Sequence, residues 1–85
     1  MASIQPDLKK KLEREPGSMV NLIVRLKDAP DIHVADVRAL GLKVRYTYSL
    51  VSAMAVQGTA SASLVLAKKP WVLSVEEDKQ VHTML

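Results

Sequence analysis

An α+β sandwich is the fold class this chain predicts: four antiparallel strands in one sheet, two helices on one of its faces, and the element order strand, helix, strand, strand, helix, strand. Three observations carry that prediction. Four segments rich in branched apolar residues have the period of two expected of half-buried strands. Between the first and second strands, and again between the third and fourth, lies a short apolar segment with helix start and stop signals. The second and third strands are joined by a few turn residues alone, so they pair as neighbours.

Taken in order, the chain opens with a leader over residues 1–19. Pro6 suits a first helical position, and Leu8 and Leu12 lie one turn apart on an otherwise charged segment ended by Pro16-Gly17. The leader is expected to be either a short docked helix or a mobile arm, and Lys9-Lys10-Lys11 in it reads as a solvated helix face. The first strand of the sandwich follows at residues 20–27, with Leu22, Val24 and Leu26 on one face. Asp31 is placed to cap a helix over residues 32–40, closed by Gly41. The second strand runs over residues 42–48. Strict alternation turns Arg45 and Thr47 toward water and Val44, Tyr46 and Tyr48 toward the core.

The third strand, residues 53–57, points Met54 and Val56 one way and the small Ala53 and Ala55 the other. Alanines on an outer face let another surface approach closely, and they equally fill space under a helix. Thr59 offers a cap for the second helix, which ends in Lys68-Lys69 and is stopped by Pro70. The last strand starts at Trp71. Alternation turns Leu73 and Val75 inward and Ser74, Glu76 and Asp78 outward. The whole is the ferredoxin-like βαββαβ arrangement, which leaves one sheet face uncovered. That face is expected to carry Arg45, Thr47, Ala53, Ala55, Gln57, Ser74, Glu76 and Asp78.

Composition narrows the function. A chain of 85 residues with 48% hydrophobic content makes one small domain with little room for a buried catalytic pocket, so a binding role is the starting point. There is no cysteine, which removes thiol and disulfide chemistry. Neither a glycine-rich phosphate loop nor a cluster of metal-ligating residues is present, and no cofactor, metal or catalytic residue is expected. His33 and Asp36 are three apart on the first helix and read as a surface pair. The net charge of +3 is modest, no apolar run reaches the length of a membrane span, and the start lacks a secretory pattern.

Two carboxylates on one strand face, Glu76 and Asp78, invite two explanations. They can be solvated charges that protect a strand end from aggregation. Alternatively they are presented to positively polarised groups on a partner, such as helix N-termini.

The stretches from Lys43-Val44 through Tyr48-Ser49-Leu50 to Ala53-Met54-Ala55-Val56, then Lys69-Pro70-Trp71-Val72-Leu73-Ser74-Val75-Glu76-Glu77-Asp78 and Val81-His82, resemble the propeptide-type inhibitors of subtilisin-like serine proteases. The resemblance covers residues 20–85, divided into a domain at 20–78 and an extended tail at 79–85. It implies a domain that docks its open sheet face on two parallel enzyme helices, inhibits the mature protease and, as a prosegment, assists its folding. Glu76 and Asp78 match the acidic positions that cap those helices, Ala53 and Ala55 fall on the docking face, and Val81, His82, Thr83, Met84 and Leu85 match the segment laid in the substrate cleft. With Met84 in the primary specificity pocket, Val81 fills the apolar pocket three positions earlier. With Leu85 there, His82 must enter that pocket, a poorer match, although the family's tails commonly end at the pocket residue.

The expected partner is thus a subtilisin-like protease, with no nucleic acid and no membrane, and the free chain is expected to be a monomer. A stand-alone inhibitor would be cytoplasmic, and a prosegment cut from a protease precursor would be secreted. The rival readings are a non-catalytic regulatory domain and a nucleic-acid-binding module. The latter requires exposed aromatics and a basic platform on the open face, where the last strand is acidic.

Overall fold

A computed structural model of the chain describes residues 3–78. The element order is β1 (Ser3–Ile4), α1 (Pro6–Arg14), β2 (Met19–Leu26), α2 (Val34–Ala39), β3 (Lys43–Tyr48), β4 (Ala53–Thr59), α3 (Ala60–Ala67) and β5 (Val72–Glu77). The strands form one sheet in the order β1-β5-β2-β4-β3, so the described residues hold five strands and three α-helices where the sequence predicts four and two. The four expected strands pair with one another antiparallel. The fifth is β1, parallel to β5, with Ser3 opposite Ser74 and Ile4 opposite Val75. Two residues give no periodicity to read, so β1 escapes any pattern argument.

Alternation builds one side of the sheet. Val20, Leu22, Val24 and Leu26 of β2, Met54 and Val56 of β4, and Val72 and Val75 of β5 form a single buried cluster with Val37 of α2 and Leu66 of α3. The third helix belongs to it too: Leu8 is 4% exposed and Leu12 fully buried, so α1 is docked by the two leucines that share its face. Pro6 sits in the first turn of α1, Asp7 follows it, and Lys11 and Arg14 occupy the last turn, an order that suits the helix dipole.

Helix boundaries follow local chemistry. The Thr59 hydroxyl accepts from the Ala62 amide at 3.3 Å and caps α3 as the sequence predicts. Gly41, at φ 91°, takes the left-handed conformation that ends α2. Asp31, by contrast, is no cap. It lies inside a 3-10 turn over Pro30–His33 that precedes a shorter α2, because Pro30 sets the tighter turn one residue before the expected cap.

Two β-bulges alter the predicted facing. In β3, Val44 pairs with Val56 and Tyr46 with the next residue of β4, Ala55, leaving Arg45 as the extra residue. Tyr46 and Tyr48 therefore lie on the open face opposite Ala55 and Ala53, and Thr47 pairs with Met54 on the helix side. In β5, Ser74 pairs with Arg25 and Val72 with Leu26, leaving Leu73 as the extra residue. Val72 takes the inward position expected for Leu73, which is 47% exposed. An inserted residue shifts side-chain parity by one, so strict alternation fails on one flank of each bulge.

Candidate functional site

The open face is organised in rows that the strand register fixes. One row runs Glu76, Ile23, Ala55, Tyr46 across β5, β2, β4 and β3. On one side of it lies the row Ser74, Arg25, Ala53, Tyr48. On the other, Asn21, Gln57 and Lys43 align, and the Asp78 amide donates to the Asn21 carbonyl at 2.9 Å, carrying the β5–β2 ladder one residue past β5. By alternation Asp78 shares the face of Glu76.

The three acidic neighbours then separate by orientation. Glu77 pairs with Leu22 and points to the helix side, where its carboxylate meets Lys11 Nζ of α1 at 2.7 Å. The hydrogen bond to Glu77, reinforced by the charge of Glu77, holds Lys11 above the usual lysine range. Glu76 is exposed on the opposite face. The sequence-predicted pair Glu76 and Asp78 is thus distinguished from Glu77 by strand geometry, and Glu77 is occupied within the molecule.

Ala53 and Ala55 lie on the open face as expected, yet each is only 2% exposed. Tyr46 and Tyr48 of β3 on one side and Ile23 and Arg25 of β2 on the other flank them in register. The alanines are the floor of a shallow trough, and the side chains that stand up from the face are those beside them. Tyr46 is 59% and Tyr48 41% exposed, with ring centroids 6.4 Å apart. The guanidinium of Arg45 stands 5.8 Å from the centre of the Tyr46 ring and donates to Asn21 Oδ1 at 3.5 Å, which puts it on the open face as well. Of the residues expected on this face, Thr47 is the one that moves to the other side.

Sequence reasoning missed the two tyrosines, and the signal that could have found them is weak. A polar arginine between Val44 and Tyr46 satisfies alternation as well as it satisfies a bulge. Beyond the face, the hairpin tip between β3 and β4 is apolar and outward: Leu50 is fully exposed and Val51 54% exposed, and Ser52 adopts φ 46° to close the turn. The tail residues Val81, His82, Thr83, Met84 and Leu85 lie outside the described residues.

His33 is not on the surface. It is 8% exposed and stacks on Trp71 at 4.0 Å with the rings 9° from parallel. Its Nε2 lies 3.3 Å from Asp28 and its Nδ1 3.6 Å from Asp36, whose carboxylates face solvent. The stack ties the 3-10 turn to the segment entering β5, a structural role for a histidine that sequence spacing pairs with Asp36 alone. Among the described residues, no group of three or more candidate ligands could hold a metal ion, and no helix is long and apolar enough to cross a membrane. No protein-family model matches this chain, and no curated protein matches it significantly.

Proposed function

We propose that this chain is a non-catalytic inhibitor of a subtilisin-like serine protease, with a second role in folding that enzyme, and that it binds through its open sheet face and the segment following β5. In this reading β2 to β5 with α2 and α3 form a ferredoxin-like core, and β1 with α1 is an addition to it. The observation that carries the proposal is the split among the acidic residues at the end of β5: Glu77 turns inward to Lys11, while Glu76 stands on the uncovered face and Asp78 follows it by alternation. A carboxylate exposed on an uncovered face suits exposed amides at the N-terminus of a partner helix.

The test is steady-state inhibition of a subtilisin-type protease by three forms: the full chain, a form without residues 81–85, and the Glu76→Ala, Asp78→Ala double variant. Loss of inhibition without the tail is expected. The double variant should bind more weakly by about 1–3 kcal/mol for each carboxylate while keeping its unfolding midpoint, since removed charge-assisted hydrogen bonds carry that magnitude. Unchanged inhibition by the double variant would sink the assignment of these two residues. Failure of the folded full chain to inhibit several such proteases would sink the proposal.

The second reading gains an observation of its own. Tyr46, Tyr48 and Arg45 give the open face the stacking groups that a nucleic-acid-binding module requires. Titration with a single-stranded oligonucleotide at low and high salt separates the two readings, because stacking plus phosphate contacts would give salt-sensitive binding and quench no protease.

A further inference from the structure

The helix side of the molecule carries a cleft that the inhibitor reading does not use. The carbonyls of Pro16 and Ser18, which follow α1, accept from the amides of Ser61 and Ala60 at the start of α3. The end of α1 thus lies by the start of α3, and the beginning of α1 by the end of α3. There Ile4 of β1, Lys9 of α1, Leu64 and Ala67 of α3 and the following Lys68 enclose about 100 Å³. Ile4, Leu64 and Ala67 are half-buried and pack against the core, so each is held from below and keeps part of its surface in the cleft. Leu64, Ala67 and Lys68 share one side of the helix because they are three and four residues apart. Ala67 supplies the depth, since its side chain ends at Cβ and a longer one would fill the hollow.

Charge is distributed unevenly round α1. Lys10, Lys11 and Arg14 line a second hollow together with Asp7 and Glu15, and Lys11 is paired with Glu77. Lys9 and Lys68, by contrast, are exposed at the rim of the apolar cleft, which no carboxylate lines. Among the described residues neither of these two lysines is within ion-pair distance of a carboxylate. Glu13, one helical turn beyond Lys9, lies toward the start of α3 and away from Lys68. We propose that the cleft binds a short aliphatic monocarboxylate, its chain on Ile4, Leu64 and Ala67 and its carboxylate between the ammonium groups of Lys9 and Lys68. A cavity of about 150 Å³ holds one benzene, so about 100 Å³ takes a body of about four carbons, as in pentanoate. The lysine stems add apolar wall while their charged heads stay in water. An apolar floor alone accepts any small hydrocarbon, and two cations at its rim favour one that ends in an anion. Burial of so few carbons gives weak binding, with a dissociation constant on the order of millimolar.

This site lies on the side of the sheet away from the open face, so its test is independent of protease inhibition. The full chain, labelled with nitrogen-15, is titrated with sodium pentanoate against sodium chloride at equal ionic strength and followed by amide chemical shifts. Saturable shifts centred on Ile4, Lys9, Leu64, Ala67 and Lys68 are expected. Pentanol should bind about threefold more weakly for want of the charge, and propanoate about tenfold more weakly for want of two methylenes. Lys9→Gln combined with Lys68→Gln should weaken pentanoate about threefold and leave pentanol unchanged, and Ala67→Leu should abolish the saturable shifts from both. The two lysines are exposed, so the glutamine pair still tests the site if Ala67→Leu fails to fold. Shifts that stay linear in pentanoate or scatter over the surface show an adventitious additive only and overturn the proposal. Pentanol that binds as tightly as pentanoate, or full pentanoate affinity in the glutamine pair, overturns the carboxylate assignment.

Discussion

Gly58 and Leu42 show how closely the core constrains single positions. A Cβ on Gly58 would meet the Leu42 side chain at Cδ2 and at Cγ, and Leu42 is itself 3% exposed, so it has little room to turn away. We predict that Gly58→Ala destabilises the domain by about 1–3 kcal/mol, the usual range for overpacking, measured by urea unfolding followed through the single tryptophan, Trp71. The Lys11–Glu77 pair makes the opposite case. Its side chains are 48% and 31% exposed, and exposed pairs contribute at most about 1 kcal/mol. Because Glu77 raises the pKa of Lys11, the pair's contribution is complete below the ordinary lysine value of 10.5 and is lost as pH rises past it. The difference in melting temperature between the unsubstituted chain and Glu77→Gln should therefore be small at neutral pH and shrink further at strongly alkaline pH. A difference that grows there would show that the pair acts by another route.

At the scale of elements, the two bulges decide which faces are which. The faces of β2 and β4 were legible in the sequence because Leu22, Val24, Met54 and Val56 keep an unbroken period of two. In β3 and β5 the same period is broken by Arg45 and Leu73, and a pattern argument has no term for a residue that pairs with nothing. The prediction that follows contrasts neighbours. Leu73→Ser should change stability by less than about 0.5 kcal/mol, as exposed positions do, whereas Val72→Ala should cost about 1–3 kcal/mol as a buried truncation. Chemical denaturation of both variants checks it, and a larger loss at Leu73 would place the bulge elsewhere. The helix α1 was legible as a helix from Pro6 and the Leu8–Leu12 spacing, but the spacing alone left its docking open. Burial of Leu12 decides that, and Leu12→Ala is expected to cost about 2–5 kcal/mol.

For the molecule as a whole, one buried cluster joins residues from all three helices and from the strands between them. A single cooperative unfolding transition is expected, with Trp71 fluorescence and far-ultraviolet circular dichroism giving the same midpoint. Separate midpoints would mean that the leader melts by itself. The candidate site was half legible at this scale. The carboxylates at the end of β5 follow from alternation and from the resemblance. The cationic and aromatic half depends on a bulge and on which strands become neighbours, which a single sequence does not display.

The parallel pairing of β1 with β5 also has a consequence in time. Residues 3 and 4 hydrogen-bond beside residues 74 and 75, so the first strand to be synthesised waits for the last before it has a partner. β2 likewise lacks one of its two neighbours until β5 exists. Contacts between such distant parts of a chain are slow to close, and β1 cannot pair until nearly the whole described chain has been synthesised.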